Sequence, residues 1–338
     1  MDSLTHKTSK VGLALSGGAA RGLAHIGVLK ALEEEAIPID MIAGASAGAM
    51  IGACYAKERN AVILEEIALG IDWKKLARLF DLNLISLGKG FVQGQRVKAL
   101  LGSIIGNTKF EDLGIPLAVV AADVQSMEEI IINKGPVIEA VRASISMPVI
   151  LTPVKWRNRF LIDGGVVNPM PVDVVRSMGA EIVIAVNVLA IAQRREREEP
   201  IRKEAKVEPS LHSKNARLSA IRKRIDNLLR ENKDKIRLLD ELSNIARTRI
   251  YAGRGKIDPK TPSIFDVLMQ TIHAMEYEKT RLATKTADIV ISPDVSHIGT
   301  FGFYKGEEAI SQGYKATKDI LPKLQEMIRS IPSSPLQL

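Results

Sequence analysis

A serine stands between two glycines at Gly44-Ala45-Ser46-Ala47-Gly48. A serine hydroxyl is a weak nucleophile until a base takes its proton and N–H groups receive the charge that develops on the substrate. The small flanking residues suit a sharp turn between a strand and a helix, with the helix N-terminus aimed at the hydroxyl. The same five residues also suit an ordinary Gly/Ala-rich helix start.

Two further segments could complete such a site. Ser16-Gly17-Gly18-Ala19-Ala20-Arg21-Gly22 follows an apolar run and opens a helical pattern, so its successive N–H groups can form an anion-binding nest. A dinucleotide loop would need Gly-x-Gly-x-x-Gly, and a phosphate-binding Walker loop would need Gly-Lys-Ser/Thr; neither is present. An oxyanion hole needs only two or three convergent N–H groups, each worth ~10²–10³ in rate. Arg21 could meet a phosphate headgroup or simply brace the loop. Asp163-Gly164-Gly165 puts a carboxylate at the end of the apolar run Phe160-Leu161-Ile162, as a catalytic base would be placed. Asp-Gly is also a common hairpin turn, so this motif alone does not decide its role.

A histidine is the usual intermediary in a serine site. His6, His25, His212, His273 and His297 are the candidates, and none follows a strand as a triad histidine would. His25 falls one turn into the first helix, where packing is the simpler role. Cys54 is the single cysteine, which excludes an internal disulfide and a cysteine-rich metal site. Its place two turns beyond Ser46 reads as a small buried residue.

The elements that must position these groups follow an α/β rhythm. Strands are expected at Val11–Leu15, Met41–Ala43, Pro116–Asp123, Glu129–Ile132, Phe160–Ile162, Ile182–Val188 and Ala287–Ser292. Helices are expected at Leu23–Glu35 and Ala49–Ala56, through much of Ala61–Ile105, and at Gly306–Lys323. The interval 190–262 breaks the rhythm. It opens on a charged run, is broken by Pro200 and Pro209, and then keeps heptad-like spacing through Leu218, Ile221, Ile225, Leu228, Leu239 and Leu242.

Together the motifs resemble the patatin-like phospholipase family. Gly17 to Gly22 looks like its glycine-rich oxyanion loop, Gly44 to Gly48 like its nucleophile elbow, and Asp163-Gly164-Gly165 like its catalytic aspartate motif. Ser144-Ile145-Ser146-Met147-Pro148 resembles the serine-and-proline turn that precedes that aspartate. Ala19 departs from the third glycine of many members. The resemblance implies a three-layer α/β/α fold with a mostly parallel central sheet. It implies a serine acyl hydrolase acting on lipid esters through a Ser46–Asp163 dyad, with Gly17, Gly18 and Ala19 as oxyanion donors and no cofactor or metal. The acyl hydrolase domain would comprise residues 1–189 and 263–338, with 190–262 a helical basic insertion about which the resemblance says nothing.

Composition bounds the rest. The chain has 338 residues, 46% of them hydrophobic, with no apolar stretch long enough to span a bilayer and no secretory layout at its N-terminus. A cytoplasmic protein, soluble or in peripheral contact with a membrane, is the expectation. The segment from Ala190 to Lys260 holds 20 Lys and Arg against 11 Asp and Glu. The whole chain carries +8, so the remainder sums close to −1. That segment could meet an anionic membrane surface, pair with a second copy of the chain, or be a solvated arm. Nucleic acid is disfavoured because the segment's one aromatic residue is Tyr251 and no reading motif accompanies it. Two rival functions remain: an acyltransferase using the same acyl-enzyme, and a non-catalytic membrane or nucleic-acid adaptor.

Overall fold

A computed structural model describes residues 9–71, 95–148, 150–189 and 264–330, together with residues 220, 221, 223, 224 and 227. The heptad-spaced part of the expected insertion, and His6 and His212, otherwise lie outside the described residues.

The strands are β1 (Val11–Leu15), β2 (Met41–Ala45), β3 (Leu117–Asp123), β4 (Glu129–Ile132), β5 (Val154–Trp156), β6 (Arg159–Asp163), β7 (Ile182–Val186) and β8 (Ile289–Ile291). The helices are α1 (Ala24–Glu34), α2 (Ala47–Glu58), α3 (Ala61–Gly70), α4 (Gln95–Ile104), α5 (Val137–Ser144), α6 (Val172–Ser177), α7 (Ile264–Ala283) and α8 (Gly306–Ser330). All eight strands join one sheet. β8, β7, β1, β2 and β3 are parallel neighbours, while β4 and β6 run antiparallel to β3, and β5 antiparallel to β6.

β1, β2, β3 and β7 are buried along their whole length, so they read as continuous apolar runs, as expected for strands covered on both faces. The two faces differ in side-chain size. Val11, Leu13, Leu15, Ile42, Val119, Ile182 and Ile184 face a large core with α1, α2, α3, α5 and α8. Ala14, Ala43, Ala45, Ala118 and Ala185 face a thinner layer containing Val172, Val174 and Val175 of α6. The result is the expected three-layer α/β/α arrangement, with unequal outer layers.

The register around β3 sets up the site. β2 pairs with Leu117–Val120, β4 with Val119–Ala122, and β6 with Ala121–Asp123. A residue has one partner on each edge of its strand, and β4 overlaps both β2 and β6. β2 and β6 therefore share the other edge, end to end. Ala45 pairs Val120 and Asp163 pairs Ala121, so the chain leaving β2 at Ser46 meets the end of β6.

Several elements differ from expectation. α7 is an addition to the expected elements, and Val267, Leu268, Met275 and Leu282 on it are exposed. The short α5, α6 and β5 are likewise additions to the expected elements. The closing helix runs on to Ser330.

Candidate active site

Ser46 is the residue between β2 and α2, with φ 52° and ψ −121°, a left-handed backbone that a non-glycine residue adopts only under constraint. Close packing supplies the constraint. A Cβ on Gly48 would stand 2.2 Å from the Leu15 carbonyl oxygen, so only glycine lets α2 start hard against β1. Gly44 and Ala45 belong to the strand, which settles the motif as a strand-to-helix turn and not a plain helix start.

The Ser46 hydroxyl donates to Asp163 Oδ2 at 2.7 Å. Both residues are buried, at 6% and 3% exposure. Asp163 Oδ1 accepts the Gly165 N–H at 2.8 Å. After Asp163 the chain makes a 3-10 turn at Gly164–Val166 and passes to α6, so Asp163-Gly164 is not a hairpin tip. Burial pushes the Asp163 carboxyl up to about 6, offset in part by the hydrogen bonds from Ser46 and Gly165. A base of that strength is ionised at neutral pH yet still able to take a proton.

The turn at Ser144–Pro148 ties the two residues together. Ser144 Oγ accepts the Ser46 N–H at 2.8 Å and donates to the Val120 carbonyl at 2.6 Å. The Ser146 carbonyl accepts the Asp163 N–H at 3.0 Å. Buried Arg142 donates to Ser146 Oγ at 2.6 Å and braces the turn. The sequence marks this turn without revealing that it holds both backbones.

The glycine-rich loop lies beside Ser46, with an added Cβ on Gly17 only 3.4 Å from Ser46 Cβ. The Gly17 N–H donates to the Pro169 carbonyl at 2.9 Å. That commitment takes Gly17 out of the expected trio of free donors. Gly18 and Ala19, with φ of 146° and 50°, present N–H groups that have no partner among the described residues. The loop is held by the Ser16 carbonyl, which lies 2.9 Å from His25 Nε2. Burial lowers His25 to about 4, so its ring is neutral and Nε2 donates there. The histidine that comes nearest to the site in the sequence is therefore a brace. Arg21 Nε donates to the Ile298 carbonyl at 2.8 Å, so at least one nitrogen of Arg21 does structural work.

No imidazole lies between Ser46 and Asp163. His273 faces Arg21, and burial and that charge lower its pKa. The Cys54 thiol is buried and pushed up to about 12, which leaves it unreactive. Among the described residues no cluster of His, Cys, Asp and Glu could hold a metal, and no helix is long and apolar enough to cross a membrane. One carboxyl beside the site, Glu276 of α7, is invisible in the sequence because no local motif surrounds it.

The chain is similar to known proteins over about half of its length. Residues 13–176 match the patatin-like phospholipase family model. The chain is 35% identical over 185 residues to the Drosophila melanogaster neuropathy target esterase sws, a match covering 53% of this chain and 13% of that protein. It is 36% identical over 183 residues to human patatin-like phospholipase domain-containing protein 6, covering 53% and 13%. An uncharacterized NTE family protein of Mycobacterium bovis is 34% identical over 182 residues, covering 53% and 49%. The chain thus spans less than half the length of each of these relatives. VipD from Legionella pneumophila aligns at 12% identity with a TM-score of 0.39, too distant a likeness to carry an argument.

Proposed function

We propose that this chain, which belongs to the patatin-like phospholipase family through residues 13–176, hydrolyses fatty-acyl esters of phospholipids or lysophospholipids at Ser46. The observation that carries the reading is the direct 2.7 Å hydrogen bond from the Ser46 hydroxyl to a buried carboxylate oxygen of Asp163.

Ser46 Oγ attacks the ester carbonyl carbon while Asp163 Oδ2 takes the hydroxyl proton. The carbonyl oxygen becomes an anion and accepts the N–H groups of Gly18 and Ala19, with the N-terminus of α2 directly behind Ser46 adding its positive end. Gly17 keeps the loop in place through Pro169. Collapse breaks the bond to the alcohol oxygen, and Asp163 returns its proton to that oxygen. Water then attacks the acyl-serine, Asp163 takes a water proton, and collapse releases the fatty acid as the proton returns to Ser46. Arg21, held at Nε by Ile298, turns its remaining nitrogens to an anionic headgroup. The basic segment 190–262 meets the anionic lipid surface.

The test is labelling with a fluorophosphonate probe, with the adduct located by mass spectrometry, followed by hydrolysis of phosphatidylcholine and lysophosphatidylcholine. Wild type should be labelled at Ser46 and release fatty acid, and Ser46→Ala should do neither. Full esterase activity in Ser46→Ala would overturn the reading.

A further inference from the structure

Glu276 lies on α7, outside the residues matched by the family model, and takes no part in the steps above. It is 8% exposed, and its carboxyl stands at the dyad. A Cβ added at Gly165 would come within 2.5 Å of Glu276 Oε1 and 3.1 Å of Asp163 Oδ1. The bare backbone of Gly165 is therefore the gap across which the two carboxyls face each other. The helix is fixed there by Lys279, whose Nζ donates to the Val167 carbonyl of the same loop at 2.9 Å. The charged groups acting on Glu276 are Asp163, from the end of β6, and Arg21, from the loop after β1. His273, one turn earlier on α7, is coupled to Arg21.

We propose that Glu276 is a positioning residue that sets the base strength of Asp163 by its charge across Gly165. The inference rests on the Ser46–Asp163 reading. Two buried carboxyls this close ionise in separate steps, because the first charge opposes the second and one positive neighbour does not balance both. Asp163 ionises first, at about 6, because Ser46 and Gly165 donate to it. Burial and the Asp163 charge push Glu276 up to about 8, partly offset by Arg21. Between these values Glu276 is neutral and leaves Asp163 as a moderate base. Above them a second negative charge stands beside Asp163 and raises its proton affinity. Moving charge from Asp163 to the substrate oxygen then also moves it away from Glu276, so attack by Ser46 quickens.

The readout is the rate of fluorophosphonate labelling at Ser46 from about pH 5 to about pH 10. Wild type should show one rise near 6 and a second, roughly threefold, near 8. Glu276→Gln, which keeps the shape of the neutral carboxyl, should match wild type between the rises and lack the second. Glu276→Asp should keep a second rise at a shifted pH, and its absence there would count against the proposal whether or not the glutamine variant folds. A second rise that persists in Glu276→Gln, or a single rise in wild type, would overturn this inference and leave the dyad standing. Failure to label wild-type Ser46 would overturn both.

Discussion

At the scale of residues, the candidate site is two side chains in direct contact, Ser46 and Asp163, both buried. Asp163 is a stronger base than an exposed aspartate because burial opposes its charge, and the cost appears as stability. Its folded pKa of about 6 lies above the ordinary 3.8, so its contribution to stability is whole below about 3.8 and is lost as pH rises through 6. Asp163→Asn should therefore raise the unfolding free energy at pH 8 by about 1–3 kcal/mol, a gain that vanishes below pH ~4. Chemical denaturation at the two pH values checks it. The same variant should lower kcat by about 10³–10⁴. In wild type, kcat/KM should rise with pH through about 6, as Asp163 becomes free to accept a proton.

At the scale of elements, what matters is how three backbones are held at the end of the sheet. Ser144 stands between the Ser46 N–H and the Val120 carbonyl, both buried. Ser144→Ala removes both of these buried hydrogen bonds, so it should cost about 1–3 kcal/mol of stability. It should also lower kcat roughly tenfold with little change in KM, because the elbow loses its fixed position. Thermal unfolding and steady-state kinetics separate the two effects. Gly48→Ala is harsher. Its Cβ meets the Leu15 carbonyl carbon and oxygen at 2.6 and 2.2 Å, and backbone cannot step aside as a side chain can. Unfolding measurements should show a loss of about 3 kcal/mol or more, or no folded protein at all.

At the scale of the whole molecule, charge and chemistry occupy different parts of the chain. Ser46 and Asp163 belong to a region of nearly balanced charge, while the basic excess is concentrated between Ala190 and Lys260. Attraction to an anionic bilayer weakens as salt shortens the reach of charge, from ~10 Å at 0.1 M to ~3 Å at 1 M. Hydrolysis on vesicles containing phosphatidylserine should fall with added salt, whereas hydrolysis of a short soluble ester should not. Equal salt dependence for both substrates would mean that the basic segment does not bring the enzyme to its substrate.

Much of this was legible in the residues. The buried strands announced themselves as apolar runs, and Gly-x-Ser-x-Gly carried its own turn because only small residues permit that packing. Asp163-Gly164-Gly165 named a carboxylate candidate but not its function, since a turn and a base share the same local sequence. Pairing along β3 brings Asp163, 117 residues away, within 2.7 Å of Ser46, a contact that no local sequence shows. Local sequence fixes local conformation. Which N–H is already engaged, as at Gly17, which histidine is only a brace, as at His25, and which distant carboxyl stands beside the base, as at Glu276, depend on residues brought together by the fold. Burial then sets the charge of each group, and burial exists only once the layers have packed.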